Sequence, residues 1–229
     1  MTFKITRTTL LLQLILSMIS VQVWSQNVSL EEAETFFPSA DILNEDTITW
    51  HYLSVPENWE KSETNTIKVA VSVLKNKANN DNAPAVVFIQ GGPGASGIST
   101  IGSWVNHSLR QENDIVLLDI RGTGYSEPRL CPDLGNEFLA ILAKNQTAAK
   151  DEEEKTNAAF ACKQELIKNG VDTNAYHSIS VAKDLEALRK KLGYKNWTVY
   201  GASYGTYMAQ VYANKYPSAV QSLILDSSI

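Results

Sequence analysis

The chain has 229 residues, enough for one domain with a sizeable core, and its composition is that of an ordinary globular protein. Its formal net charge is −5, and its 20 lysines and arginines form no basic cluster, which argues against a nucleic-acid partner. No spacing of histidines, cysteines and carboxylates typical of a metal site is present, and we expect neither a metal nor another cofactor.

The first 25 residues predict a secretory signal peptide. Lys4 and Arg7 precede an apolar stretch, residues 9–20, that is short for a membrane span. Small residues then favour cleavage between Ser25 and Gln26. We therefore expect residues 26–229 to be secreted or periplasmic, without stable membrane association after cleavage. An uncleaved membrane anchor is the alternative.

Cys131 and Cys162 are the two cysteines of the chain. In an exported protein an even number of cysteines suggests a disulfide, and two free thiols are the alternative. A loop of this size would contribute roughly 3–4 kcal/mol to stability in the chain-entropy model.

Extended segments and helical segments then follow one another along the chain. Alternating residues predict strands over 47–59 and 66–76, and the apolar runs 85–89 and 114–118 are typical of strands buried on both faces. A short helix is expected between these two apolar runs, over residues 98–109. Residues 132–176 have a helical, polar pattern.

The last 50 residues continue this alternation. Ser180 is a possible N-cap for a helix that buries Val181, Leu185, Leu188 and Leu192 and ends at Gly193. A strand over 197–200, a helix over 204–216 and a strand over 222–226 follow. The alternation predicts an α/β fold with a mostly parallel sheet and helices on both faces.

A glycine-rich loop follows the strand at 85–89. Gly92, Gly94 and Gly97 match G-x-G-x-x-G, and Asp119 follows the next apolar run, as in a dinucleotide-binding fingerprint. Pro93 has no N–H to offer a phosphate, and export argues against a nicotinamide cofactor. The dinucleotide interpretation is therefore the weaker one.

Residues 201–205, Gly-Ala-Ser-Tyr-Gly, match G-x-S-x-G between a predicted strand and a predicted helix. In that context the motif predicts a nucleophile, Ser203, on a sharp turn. The N–H of the residue after the nucleophile, here Tyr204, then helps to bind the oxyanion of an acyl-transfer intermediate. A glycine-rich loop supplies the second donor, and we favour Gly92, with Gly91 as the other candidate.

Three motifs together resemble the serine exopeptidases of the α/β-hydrolase family, of the proline iminopeptidase and secreted tripeptidyl aminopeptidase type. They are GGPGASG (91–97), DIRGTGYSEP (119–128) and GASYGTYMA (201–209). The likeness runs from about Trp50 to Asp226, and the cysteine pair also resembles the tripeptidyl branch.

This resemblance implies a peptide substrate, Ser203 as nucleophile, and Gly91 and Gly92 at the oxyanion hole. Asp119 and Arg121 match a family motif, and we interpret them as a charge-assisted pair that braces the rim of the active site.

The chain departs from the family pattern after Ser203. The family places an acid and then a histidine there, whereas this sequence has Asp226 and no later histidine. His51, His107 and His177 all precede the serine, and we expect structural roles for them.

The sequence is therefore expected to correspond to the N-terminal part of such a hydrolase, cut before the cap and the C-terminal strands. The alternatives are a catalytically inactive exported protein of this fold and an esterase of the same fold.

Overall fold

A computed structural model describes residues 28–40 and 47–228, so the predicted signal peptide lies outside the described residues. Seven strands among them form one sheet. Their bounds are β1 Ser29–Glu32, β2 Ile48–Pro56, β3 Thr66–Leu74, β4 Ala85–Ile89, β5 Asp114–Leu118, β6 Trp197–Ala202 and β7 Val220–Asp226. All but β1 were predicted from the sequence.

The strand order in the sheet is β1-β2-β3-β5-β4-β6-β7. Strands β5, β4, β6 and β7 run parallel, as the alternation of strands and helices predicts. Strands β1, β2 and β3 add an antiparallel section. This arrangement puts the carboxyl ends of β4, β5 and β6 at one edge of the sheet, where the two glycine-rich loops and Ser203 follow them.

Five α-helices accompany the sheet in the described part of the chain. They are α1 Ile101–Trp104, α2 Leu134–Leu142, α3 Ala148–Lys168, α4 Ser178–Lys191 and α5 Tyr204–Lys215. Short 3-10 turns flank α1, and together they form the short helical segment that was predicted between β4 and β5. None of the described helices is long and apolar enough to cross a membrane.

Each face of the sheet has its own core. In β4 the alternate residues Val87 and Ile89 pack on the face covered by α4 and α5, while Val86 and Phe88 pack against α1. The predicted face of α4 is confirmed, because its leucines at 185 and 188 are fully buried. The fully apolar run of β4 is thus explained by burial on both sides.

The N-terminus of α4 differs from the prediction. His177 is the N-cap, and its ring accepts a hydrogen bond from the N–H of Ser180, which is the third residue of the helix. The ring nitrogen of His177 therefore provides the N-terminal cap that was predicted for the hydroxyl of Ser180. The C-terminus is as predicted, since Gly193 has a φ of +82° just after the helix.

Helices α2 and α3 form a hairpin that leaves the main layers. Cys131 and Cys162 form the predicted disulfide, with their Cα atoms 6.0 Å apart, and it ties α3 to the segment before α2. Helix α3 buries none of its residues, whereas α2 buries Ile141.

Candidate active site

Ser203 lies on a sharp turn between β6 and α5, as the motif predicts. Its backbone has φ +51° and ψ −124°, a combination that a non-glycine residue adopts only under strain. Its N–H donates to the carbonyl oxygen of Asp226 at the end of β7, at 2.9 Å. The side chain is exposed, and no described residue is hydrogen-bonded to its Oγ. The hydroxyl is therefore held above the sheet and open to a substrate.

Close backbone contacts explain the glycines of the motif. A Cβ atom on Gly205 would lie 2.0 Å from the carbonyl oxygen of Ile89, at the end of β4. A Cβ atom on Gly201 would lie 2.3 Å from the carbonyl oxygen of Gly205. Helix α5 therefore begins in direct contact with the central strand, and any side chain at these two positions would push it away.

The glycine-rich loop after β4 lies directly against the serine. A Cβ atom on Gly91 would be 2.8 Å from the Cβ of Ser203 and 3.2 Å from its Oγ. The N–H of Gly91 donates to the side-chain oxygen of Gln90 at 2.9 Å, so that donor is already in use. The two motifs that the sequence places 110 residues apart thus meet at this point.

The two backbone N–H groups that the sequence favours for an anion, those of Gly92 and Tyr204, are unused among the described residues. Gly92 has a φ of +117° and precedes Pro93 through a cis peptide bond, and no described residue accepts a hydrogen bond from its N–H. The N–H of Tyr204 belongs to the first turn of α5, where the helix itself offers no acceptor. These are the same two donors that the sequence predicts, and their roles stay a prediction.

Asp119 braces the loops around the serine, although not with Arg121 as predicted. Its carboxylate accepts hydrogen bonds from Ser96 Oγ at 2.8 Å, from the N–H of Ile98 at 3.0 Å and from the N–H of Tyr125 at 2.8 Å. Burial raises the pKa of this carboxyl group. Asp119 therefore joins the loop after β4 to the loop after β5.

The expected ion pair between Asp119 and Arg121 is wrong, because Arg121 pairs with Asp184 of α4. The two contacts measure 2.6 Å and 2.7 Å, and both side chains are buried. The same guanidinium donates to the carbonyl oxygens of Glu57 and Ala175. The guanidinium of Arg121 points towards α4, because its acceptors are the carboxylate of Asp184 on that helix and carbonyl oxygens of two loops. It braces the fold beneath the site.

The three histidines have local roles. The ring nitrogens contact close neighbours in the chain: His51 with Thr49 Oγ1 at 2.9 Å, His107 with the N–H of Leu109 at 3.2 Å, and His177 with the N–H of Ser180 at 3.4 Å. Burial also lowers the pKa of His51. None of the three is hydrogen-bonded to Ser203.

A cleft of about 300 Å³ opens at the start of α5, and we call it the elbow cleft; Tyr204 lines it, whereas Ser203 itself does not. Its walls include Tyr204 and Met208 from α5, His177, and Pro93 and Gly94 from the glycine-rich loop after β4. We call this loop, residues 91–97, the oxyanion loop after its predicted role. The loop after β5 completes the elbow cleft. The arrangement offers a substrate an apolar wall at the beginning of the helix that follows Ser203.

Comparison with known proteins agrees with this geometry. Residues 84–229 match the family model described as the alpha/beta hydrolase fold. The chain belongs to the α/β-hydrolase family. The predicted fold class is thereby confirmed, and the turn at Ser203 lies where this family carries its G-x-S-x-G motif.

Three relatives of this chain have peptidase names. The tripeptidyl aminopeptidase of Streptomyces lividans is 27% identical over 187 residues, which cover 78% of this chain and 35% of the relative. Serine protease Hip1 of Mycobacterium tuberculosis (strain ATCC 25618 / H37Rv) is 28% identical over 186 residues, 77% of this chain and 35% of the relative. The proline iminopeptidase of Aeromonas sobria is 26% identical over 184 residues, 78% of this chain and 37% of the relative.

The chain therefore spans about a third of the length of these relatives.

Sequence reasoning missed the acceptors around Arg121. Asp184 is 63 residues away on a helix face that otherwise reads as apolar, and an aspartate among leucines on a buried face was the available signal.

Proposed function

We propose that this chain belongs to a serine hydrolase of the exopeptidase type, which releases N-terminal residues or short peptides through an acyl-enzyme on Ser203. The observation that carries the proposal is the strained, exposed Ser203 in contact with the glycine-rich loop at Gly91. That pairing of a raised hydroxyl with unused N–H groups suits acyl transfer. The peptidase names of three relatives favour a peptide as the substrate.

In this proposal the hydroxyl oxygen of Ser203 attacks the carbonyl carbon of the scissile amide. The N–H groups of Gly92 and Tyr204 stabilise the negative charge that forms on the carbonyl oxygen. The amine then leaves with a proton, and water hydrolyses the ester that remains on Ser203.

Proton removal from Ser203 is the weak step in the described part of the chain. A hydroxyl is a poor nucleophile at neutral pH without an adjacent base, and none of the three histidines bonds to it. We therefore expect slow acylation of the 229-residue chain.

The disulfide between Cys131 and Cys162 supports export to an oxidising compartment, which is the second part of the proposal. A secreted or periplasmic location agrees with hydrolysis of peptides outside the cytosol. Mass spectrometry of the exported protein would test the predicted cleavage before Gln26.

Labelling with a fluorophosphonate tests the role of Ser203. We expect slow labelling of the 229-residue chain, at least a tenfold acceleration on adding imidazole as an external base, and no labelling of Ser203→Ala. The rough magnitude follows from the contribution of general bases, which is 10²–10⁴-fold when the base is positioned. Ser126→Ala is the matched control, because Ser126 Oγ is buried and donates to the carbonyl oxygen of Asp119.

Labelling that persists in Ser203→Ala, or its absence even with imidazole, would refute Ser203 as the nucleophile. If Ser203 is labelled, the turnover of an N-terminally free peptide amide and of a simple ester, both with imidazole present, separates a peptidase from an esterase.

A further inference from the structure

Arg129 differs from the other arginines that the structure describes. Arg110, Arg121 and Arg189 all donate to protein oxygens. Arg129 is exposed, and it forms no hydrogen bond or ion pair with any of the described residues. A guanidinium with five unused donors is suited to bind a planar anion such as a carboxylate.

Arg129 is also the one charged residue that lines a second cleft, of about 400 Å³, within the described part of the chain. We call it the arginine cleft. Leu134 and Phe138 of α2 form an apolar wall, and Leu130 separates this cleft from the elbow cleft. Pro93 and Gly94 of the oxyanion loop line both clefts, and Gly91 of the same loop lies against Ser203, so a chain bound at the serine can follow this loop to Arg129.

The backbone around Arg129 is fixed on both sides. Glu127 exchanges two backbone hydrogen bonds with Lys68 of β3, each of 2.8 Å. The N–H of Leu130 donates to the carbonyl oxygen of Gly122 at 2.9 Å, and Cys131 is held by the disulfide. A cation on such a braced loop loses little backbone entropy on binding, which favours recognition of a ligand.

We propose that Arg129 binds the free carboxylate of a short peptide substrate, on the leaving-group side of the scissile bond. This inference rests on the proposed function. In an exopeptidase that acts at the N-terminus, the leaving group ends in the C-terminal carboxylate. A cation close to the oxyanion loop therefore selects substrates whose C-terminus is only a few residues beyond the scissile bond. The same charge repels the N-terminal ammonium group and so sets the direction of binding.

Calorimetric titration of the 229-residue chain with the tripeptide Ala-Ala-Ala and with its C-terminal amide tests the proposal. We expect the free acid to bind about tenfold more tightly than the amide, as befits a charge-assisted hydrogen bond at an accessible site. Arg129→Gln is expected to remove this difference without changing the affinity for the amide, and Arg129→Lys to retain part of it.

Lys77→Gln is the matched control, because it removes one exposed positive charge at the opposite end of the sheet. It is expected to leave the preference for the acid unchanged. An equal affinity of the wild-type chain for acid and amide, or no binding of either, would overturn the inference. So would an Arg129→Gln variant that keeps the preference.

Fluorophosphonate labelling of the same samples separates the two proposals. Labelled Ser203 without preference for the acid refutes the role of Arg129 and leaves the serine hydrolase standing. A clear preference for the acid with no labelling of Ser203 even in imidazole refutes the hydrolase and shows a peptide-binding cleft instead.

Discussion

The two ends of strand β5 carry buried aspartates in opposite settings. Asp114 begins the strand, and its carboxylate contacts Lys75 Nζ at 2.9 Å, Tyr194 OH at 2.6 Å and the backbone N–H of Asn76 at 2.9 Å. Burial alone would raise the pKa of Asp114, but these donors outweigh it and hold the pKa below its usual value. At this end of the sheet the charge of the buried carboxylate is therefore stabilised by its neighbours.

Asp119 follows the other end of the strand and has no cation beside it among the described residues. Its partners are neutral N–H and O–H groups, and burial keeps its pKa above the usual value. The strained Ser203 and the tightly packed Gly205 are at the same end of the sheet. The buried charge without a cation, the strained backbone and the tightest packing therefore all lie at the candidate active site, as is common for functional sites.

The largest effect is expected from Gly205→Ala. The added Cβ would meet the carbonyl oxygen of Ile89 at 2.0 Å, so α5 must move away from β4. We expect a loss of at least about 3 kcal/mol in the free energy of unfolding and loss of labelling of Ser203. Chemical denaturation and fluorophosphonate labelling would measure both.

Gly135→Ala is the control for that change. A Cβ atom on Gly135, in α2, would meet no atom within 4 Å. This substitution is expected to stabilise the protein by about 0.5 kcal/mol, because alanine is the better helix former. Similar effects of the two substitutions would mean that α5 does not rest on β4.

The second prediction concerns pH and the two aspartates. Because the folded pKa of Asp114 is below the ordinary value of 3.8, its charge stabilises the fold above that pH, and the gain is lost as the pH falls through the folded pKa. The folded pKa of Asp119 is above 3.8, so its charge costs stability at neutral pH, and this cost disappears as the pH falls towards 3.8.

Denaturant unfolding between pH 7 and pH 3 would compare the wild type with Asp114→Asn and Asp119→Asn. As the pH falls, the wild type should lose stability relative to Asp114→Asn and gain it relative to Asp119→Asn, each by on the order of 1 kcal/mol. If the stability of the wild type relative to each variant changed in the same direction as the pH falls, the contrast between the two ends of β5 would be refuted.

The last prediction concerns the backbone strain at the serine itself. Ser203→Gly keeps the turn but removes the penalty that a side chain suffers at φ +51°. We expect a gain of about 1 kcal/mol in stability together with complete loss of labelling. A destabilised glycine variant would show that the turn is not strained.

The sequence was most informative where structure is local. The turn at Ser203, the glycine-rich loop and the buried faces of β4 and α4 follow from short motifs and from periodicity, and they were predicted in the right places. The disulfide was expected because the chain was predicted to be exported, and the structure contains it.

Contacts between distant segments were not predictable in the same way. Arg121 and Asp119 are two residues apart and of opposite charge, which suggested a pair, yet backbone direction sends one to α4 and the other to the loop after β4. The short strand β1 was missed because four residues carry too little pattern, and it exists through its pairing with β2.

The hairpin of α2 and α3 has a practical consequence for protein engineering. Its tip, residues 143–147, is remote from the sheet core, and helix α3 contributes no buried side chain. Such a tip accepts insertions well. An epitope or a small fluorescent reporter placed there would mark the chain while leaving the serine untouched.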